Sequence, residues 1–279
     1  MMEHQQPTPT ENIELELLLQ AMYLQYGYDF RDYSRAHIKR RVIHRLMQSG
    51  LSSISELQHK ILHDPLCFEK LIRDLSINVT EMFRNPYFYK SMRQNVIPLL
   101  KTYPFLKIWI AGCSSGEEVY SFAILLKEEG LYERTQIYAT DFNHDVIQKA
   151  KTGVYPIKYI KEYTANYQQA GGKHSFSNYY RASNDSVIFD PELKKQIVFA
   201  VHNLVTDAVF AEVNMVICRN VLIYFNRKLQ NKVLDIFDES ILPGGYIGLG
   251  SKETLQFSSL DGRYKTVDAK EKIFKKKIE

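Results

Sequence analysis

The chain has 279 residues, of which 45% are apolar and 24% charged, with a formal net charge of +4 at pH 7. That balance excludes a disordered chain and provides for one or two globular domains with a sizeable core. No run of about 18 apolar residues occurs, which excludes a membrane-spanning helix, and so small a charge does not by itself point to nucleic acid.

Met1 to Glu11 is polar and proline-containing, without the apolar core of a secretory signal, and is expected to be a disordered tail (1–11). Residues 12–76 follow a helical pattern and read as a small all-helical domain. Ile13, Leu17, Leu18 and Met22 recur at helical spacing, as do Leu57, Ile61 and Leu62, then Phe68, Leu71, Ile72 and Leu75. Ser53 or Ser55 can cap one helix, and Asp64-Pro65 marks the turn into the next. Between them, Ser34–Gln48 is polarised. Ile38, Val42, Ile43, Leu46 and Met47 fill one half of the helical wheel, and His37, Arg40, Arg41, His44 and Arg45 fill the other. Two readings fit that basic half: a solvated face, or a docking surface for an acidic helical partner. Aromatic residues are not interleaved among the arginines, which argues against single-stranded nucleic acid.

Residues 77–95 read as a linker. From Val96 to the end (96–279), strands alternate with helices, the pattern of a doubly wound, mainly parallel sheet. The expected strands are Lys107–Ala111, Gln136–Thr140, Ile197–Val201, Val213–Cys218, Tyr246–Leu249, Arg263–Val267 and Lys272–Lys276, the last two forming an antiparallel hairpin around Asp268. Residues 153–190, rich in Tyr, are too long for an ordinary loop and read as an inserted subdomain.

The first strand enters a small-residue turn, Ala111-Gly112-Cys113-Ser114-Ser115-Gly116-Glu117-Glu118, that opens into a helix. This is the unit that lets a backbone approach a nucleotide. The second strand ends in Asp141, where a ribose diol is usually held. The loop lacks the full G-x-G-x-x-G, so the cofactor expected is one with a single ribose, S-adenosylmethionine (SAM) first among them. His202-Asn203-Leu204, Arg219–Phe225 and Gly250-Ser251-Lys252-Glu253 follow later strands, at the carboxyl ends where open α/β sheets bind ligands. Asn203 and Asn220 taken singly also fit plain turn residues. Cys67, Cys113 and Cys218 form no C-x-x-C pair or Cys/His cluster, so three reduced thiols and no metal site are expected.

Together these segments resemble the CheR-type chemotaxis methyltransferases. The family's N-x-T-x-F-F-R signature is matched by Asn78, Thr80, Phe83 and Arg84, with Met82 at the first Phe. Its glycine turn is matched by Ala111–Glu118, followed by Val119-Tyr120-Ser121 where Pro-Tyr-Ser is usual. Its R-N-V-x-I-Y-F segment is matched by Arg219–Phe225, while of its usual H-S-E only Glu253 stands. The resemblance implies an α/β fold: an N-terminal helical domain, then a Rossmann-like class I SAM methyltransferase domain carrying a small inserted β-subdomain (153–190). It implies that Asn78, Thr80, Arg84, Glu118, Asp141, Asn203, Leu204, Arg219 and Asn220 surround SAM along with Gly112, and that Arg84 and Tyr224 act on the substrate carboxylate.

The implied reaction is methyl transfer to glutamate side chains of chemoreceptors, leaving S-adenosylhomocysteine (SAH) and a glutamate methyl ester. A carboxylate with a pKa near ~4.3 is already ionised at pH 7, so an in-line displacement needs no general base. The basic helix, through Arg40, Arg41, His44 and Arg45, is then expected to dock the receptor's cytoplasmic helices. The protein is expected to be cytoplasmic and monomeric, with no nucleic-acid partner and no membrane insertion. The short Gln168–His174 loop implies no need for a receptor tether peptide. Two rival readings are a nucleic-acid methyltransferase, for which Cys218-Arg219-Asn220-Val221 stands where an Asn/Asp-Pro-Pro-aromatic turn is needed, and a non-catalytic SAM-binding signalling protein.

Overall fold

Residues 9–76 and 80–278 are described by a computed structural model, and they divide into two units. One comprises the chain up to residue 76 together with Tyr224–Leu229. The other comprises residues 80–223 and 230–278.

The first unit is built on four helices: α1 (Pro9–Tyr26), α2 (Arg35–Gln48), α3 (Ile54–His63) and α4 (Pro65–Leu75). Ser53 is the cap of α3, its side chain accepting from the Glu56 N–H, and Asp64 caps α4 by accepting from Leu66 N–H, with Pro65 in the first turn where no N–H is needed. The helix α1 begins at Pro9, so Pro9–Glu11 are helical and not part of a tail; residues 1–8 lie outside the described residues. Its buried face is Leu15, Leu18, Leu19 and Met22, whereas Ile13 and Leu17 are exposed. With leucines around most of its circumference, α1 has no single apolar stripe to read. In α2, Ile38, Val42 and Leu46 are buried and Met47 is exposed.

In the second unit, the segment expected to be a linker is helical from Pro86: α5 (Pro86–Ser91), a π-turn (Met92–Val96) and α6 (Ile97–Leu100). Phe88, Tyr89, Met92 and Val96 are buried there, so this stretch is core and not connector.

The strands β1 (Leu106–Ala111), β2 (Thr135–Asp141), β6 (Ile197–Val201), β7 (Val213–Cys218), β8 (Ile241–Leu249), β9 (Tyr264–Asp268) and β10 (Ile273–Lys276) form a sheet of order β6-β2-β1-β7-β8-β10-β9. Its first five strands are parallel, and β10 pairs antiparallel with both β8 and β9. The strand expected from Tyr246 starts earlier, at Ile241. Pro243-Gly244-Gly245, a breaker signal in sequence, is absorbed as an irregularity with Gly244 at φ +77°.

Helices α7 (Glu117–Glu128), α8 (His144–Thr152) and α10 (Arg227–Ser240) flank the strands in sequence. Residues 153–190 carry α9 (Ile160–Gln169) and a separate antiparallel sheet of β3 (Val154–Pro156), β4 (Tyr180–Ser183) and β5 (Ser186–Phe189).

A buried charge cluster joins the insertion to its surroundings. Glu128 accepts from Tyr179 Oη at 2.8 Å, from Lys173 N–H at 3.0 Å, and from Tyr167 Oη and Arg93 Nη2. Arg93 Nη1 reaches Glu129 at 2.8 Å, and Arg93 Nε donates to the Ala170 carbonyl. The Gln168–His174 loop is thereby fixed at both Ala170 and Lys173.

Candidate active site

The chain runs from β1 outward to β2 and β6, then crosses back to β7 and β8. The strand order therefore reverses between β1 and β7. In an open α/β sheet, the crevice at the carboxyl ends of two such strands is where a ligand binds. The loops leaving them are Gly112–Gly116 and Arg219–Ile223, two of the segments singled out in the sequence.

The first loop is set by its glycines. Gly112 and Gly116 have φ of +73° and +94°, conformations that side-chain-bearing residues rarely adopt. A Cβ at Gly112 would also run into Val221, so the two loops touch there. The N–H groups of Gly112 and Cys113 both donate to the Thr140 carbonyl, at 2.8 and 2.9 Å, which draws the loop against the end of β2. Asp141 comes next. Its Oδ2 accepts from Ser114 N–H at 3.0 Å and its Oδ1 from Asn143 N–H at 3.0 Å. Burial pushes the Asp141 carboxyl above its usual range, while those two N–H groups and that of Phe142 pull the other way. A carboxylate offers about four acceptor sites, more than these backbone N–H groups take up. The carboxylate can thus accept from the hydroxyls of a diol, and the glycine turn fits a close-lying nucleoside.

Arg219 ties the second loop to the first. Its Nη1 lies 2.5 Å from Glu118 Oε1 in the first turn of α7, and its Nη2 donates to the Arg84 carbonyl at 2.9 Å and to Asn85 Oδ1 at 3.0 Å. The guanidinium stacks over the Phe88 ring, 4.2 Å from its centroid. Arg84 itself lies in a tight turn between Phe83 and Asn85, both at positive φ (53° and 55°). Three further bonds hold that turn. Phe83 N–H donates to Ser121 Oγ at 2.8 Å, Ser121 donates onward to the Glu117 carbonyl at 2.7 Å, and Asn166 of α9 donates to the Met82 carbonyl at 3.1 Å. Arg84 and Thr80 are half-buried. Asn78 lies outside the described residues.

Glu253 has a part that sequence reading left open. Its buried carboxylate accepts from the backbone N–H groups of Gly250 (2.6 Å), Val221 (2.9 Å), Asn220 (3.0 Å) and Ile223 (3.4 Å). It is the clamp on the Arg219–Ile223 loop, including Asn220 at φ +61°. The clue was available: Glu253 is the one residue of its motif that persists.

Asn203 fills the plain turn role as well. Its Oδ1 accepts from Val205 N–H at 3.0 Å, and its N–H donates to Asp207 at 2.8 Å. Leu204 beside it is buried.

In the helical unit, Arg40 and His44 are exposed, but Arg45 Nε pairs with Asp74 at 2.5 Å and Arg41 Nη1 donates to the Asp74 carbonyl at 2.7 Å. Half of the basic set thus braces the end of α4. Tyr224 belongs to this unit.

Residues 78–273 match the model of the CheR methyltransferase SAM-binding domain, and residues 13–76 match that of the CheR all-alpha domain. The chain belongs to the CheR methyltransferase family. SAM is its cofactor, and its fold is a helical domain followed by a class I SAM methyltransferase domain. The chain is 49% identical to the protein named Cher3 of Pseudomonas putida, covering 95% of this chain and 97% of that one. It is 30% identical to chemotaxis protein methyltransferase 1 of Pseudomonas aeruginosa, over 81% and 84% of the two chains. It is 28% identical to the chemotaxis protein methyltransferase of Listeria innocua, over 82% and 85%. Among the described residues of this CheR protein, no helix is long and apolar enough to cross a membrane, and no group of three or more His, Cys, Asp or Glu is placed to hold a metal ion.

Proposed function

We propose that the protein methylates glutamate side chains of chemoreceptors, giving methyl esters in a chemotaxis or related signalling pathway. The observation that carries this reading is the Arg219 bond network, which couples Glu118 beside the cofactor loop to the turn bearing Arg84. A planar guanidinium on that turn suits a carboxylate substrate, which it can grip through two donors.

When bound, SAM supplies an electrophilic methyl group to the incoming carboxylate oxygen. Asp141 holds the ribose hydroxyls, and the Gly112–Gly116 turn leaves room for the nucleoside. Thr80, Leu204, Asn203 and Asn220 complete the surroundings. Arg84 places the substrate carboxylate while leaving one oxygen lone pair for the reaction, and Tyr224 steers the same group through its hydroxyl. No proton moves, because a glutamate with a pKa near ~4.3 is ionised at pH 7. The enzyme's contribution is alignment of two bound reactants, worth roughly 7–11 kcal/mol of the barrier. Arg40 and His44 of α2 offer an acidic receptor helix its first contacts.

Cys218 is fully buried and burial pushes its thiol well above the usual range, which speaks against a cysteine nucleophile of the kind used on nucleic-acid bases. The test is Arg84→Ala. Turnover on receptor cytoplasmic fragments falls about 100-fold or more, while SAH affinity falls far less. Near-normal receptor methylation by that variant would remove Arg84 from the mechanism.

A further inference from the structure

Tyr224 opens the six-residue stretch Tyr224–Leu229 that packs within the helical unit. Its anchors come from one short segment, Asp32–His37. Ser34 N–H donates to the Tyr224 carbonyl at 2.8 Å, and Tyr33 pairs with Phe225 in an isolated antiparallel bridge, the two rings 4.8 Å apart. The Asp32 carbonyl accepts from Asn226 N–H at 2.9 Å, and its carboxylate accepts from Asn226 Nδ2 at 3.0 Å. These bonds fix the backbone of the stretch. His37 meets the Tyr224 ring, edge-on at 87° with centroids 5.3 Å apart. The His37 Nδ1 is buried without a hydrogen-bond partner, so ring packing sets this contact. His37 lies in the first turn of α2, one turn before Arg40 and Arg41 and two before His44.

We propose that Asp32–His37 is the positioning device for Tyr224, with His37 as the positioning residue for its ring. The helix that meets the receptor and the tyrosine that steers the substrate are then one mechanical element. Seating a receptor helix on α2 bears directly on where the phenol stands. The inference rests on the steering role given to Tyr224 above.

Methyl-transfer kinetics on the full chain test it with four variants: Tyr224→Phe, His37→Ala, His37→Phe and the double variant His37→Ala/Tyr224→Phe. His37→Ala lowers kcat about three- to tenfold and leaves the receptor KM within about twofold. His37→Phe restores kcat, and the double variant is no slower than Tyr224→Phe alone, because one effect acts through the other. If His37→Ala turns over normally while Tyr224→Phe is impaired, the positioning role is wrong and the steering role stands. A double variant slowed by the product of the two single losses also overturns the positioning role. Normal turnover by Tyr224→Phe sinks the steering role and this inference with it. His37→Leu keeps the volume without an aromatic edge and decides the same question if His37→Ala does not fold.

Discussion

Removing the Glu118 carboxylate should expose how much of the site depends on one buried ion pair. Arg219 and Glu118 side chains are only 3% and 12% exposed, and their atoms meet at 2.5 Å. In Glu118→Ala the guanidinium keeps the Arg84 carbonyl, Asn85 and the Phe88 ring but loses its counter-charge. Breaking a buried pair from one side costs about 3–5 kcal/mol, because the remaining charge stays desolvated. For a domain of roughly 150–250 residues, each kcal/mol moves the melting temperature by about 2–4 °C, so a drop of about 6–20 °C is expected. Glu118→Gln keeps the shape and one acceptor and should fall between this variant and the parent. Differential scanning calorimetry at pH 7 measures the shift. The turn carrying Arg84 loses its brace at the same time, so kcat should fall together with stability. A Glu118→Ala protein melting within about 2 °C of the parent would refute the argument that this pair is buried and mutually dependent.

Three further outcomes follow from the same geometry. Burial opposes ionisation of Glu128 and Glu129, yet the bonds around them win, and those from Lys173, Lys101 and Arg93 hold Glu129 down at about 2. A depressed folded-state pKa adds stability above the unfolded value near 4.5, and that stability is lost as the pH falls towards about 2. Melting temperature should therefore decline over that window, and Glu129→Gln should flatten the decline; an unchanged slope would refute it. Gly112→Ala places a Cβ against Val221 at φ +73°, so titration calorimetry should find SAH bound about tenfold more weakly or worse, and undiminished affinity would contradict the loop's role. Reversing Arg40 to Glu and replacing His44 with Glu should slow receptor association at low salt and matter less at high salt, with folding intact because neither side chain is buried. Stopped-flow association rates independent of both changes would exclude α2 as a docking face.

Much of this was legible in the sequence because it rests on local pattern. The β-branched run of β1, the glycine turn and the acid ending β2 declare a nucleoside crevice within about 35 residues. The helix caps Ser53 and Asp64 are equally local. What stayed hidden depends on partners far along the chain. Glu253 binds backbone groups some 30 residues away, Arg219 reaches Glu118 across 101 positions, and Arg45 is committed to Asp74. No periodicity predicts such pairs. Residues 86–95 read as a linker because their helical turns are short, although their apolar side chains are core.

The central claim is that a carboxylate receives the methyl group. Radiolabelled SAM should transfer label to receptor cytoplasmic helices, and mild base should release it as volatile methanol, the mark of an ester. Label that withstands base, or that enters nucleic acid instead, from protein that binds SAH normally would contradict the account.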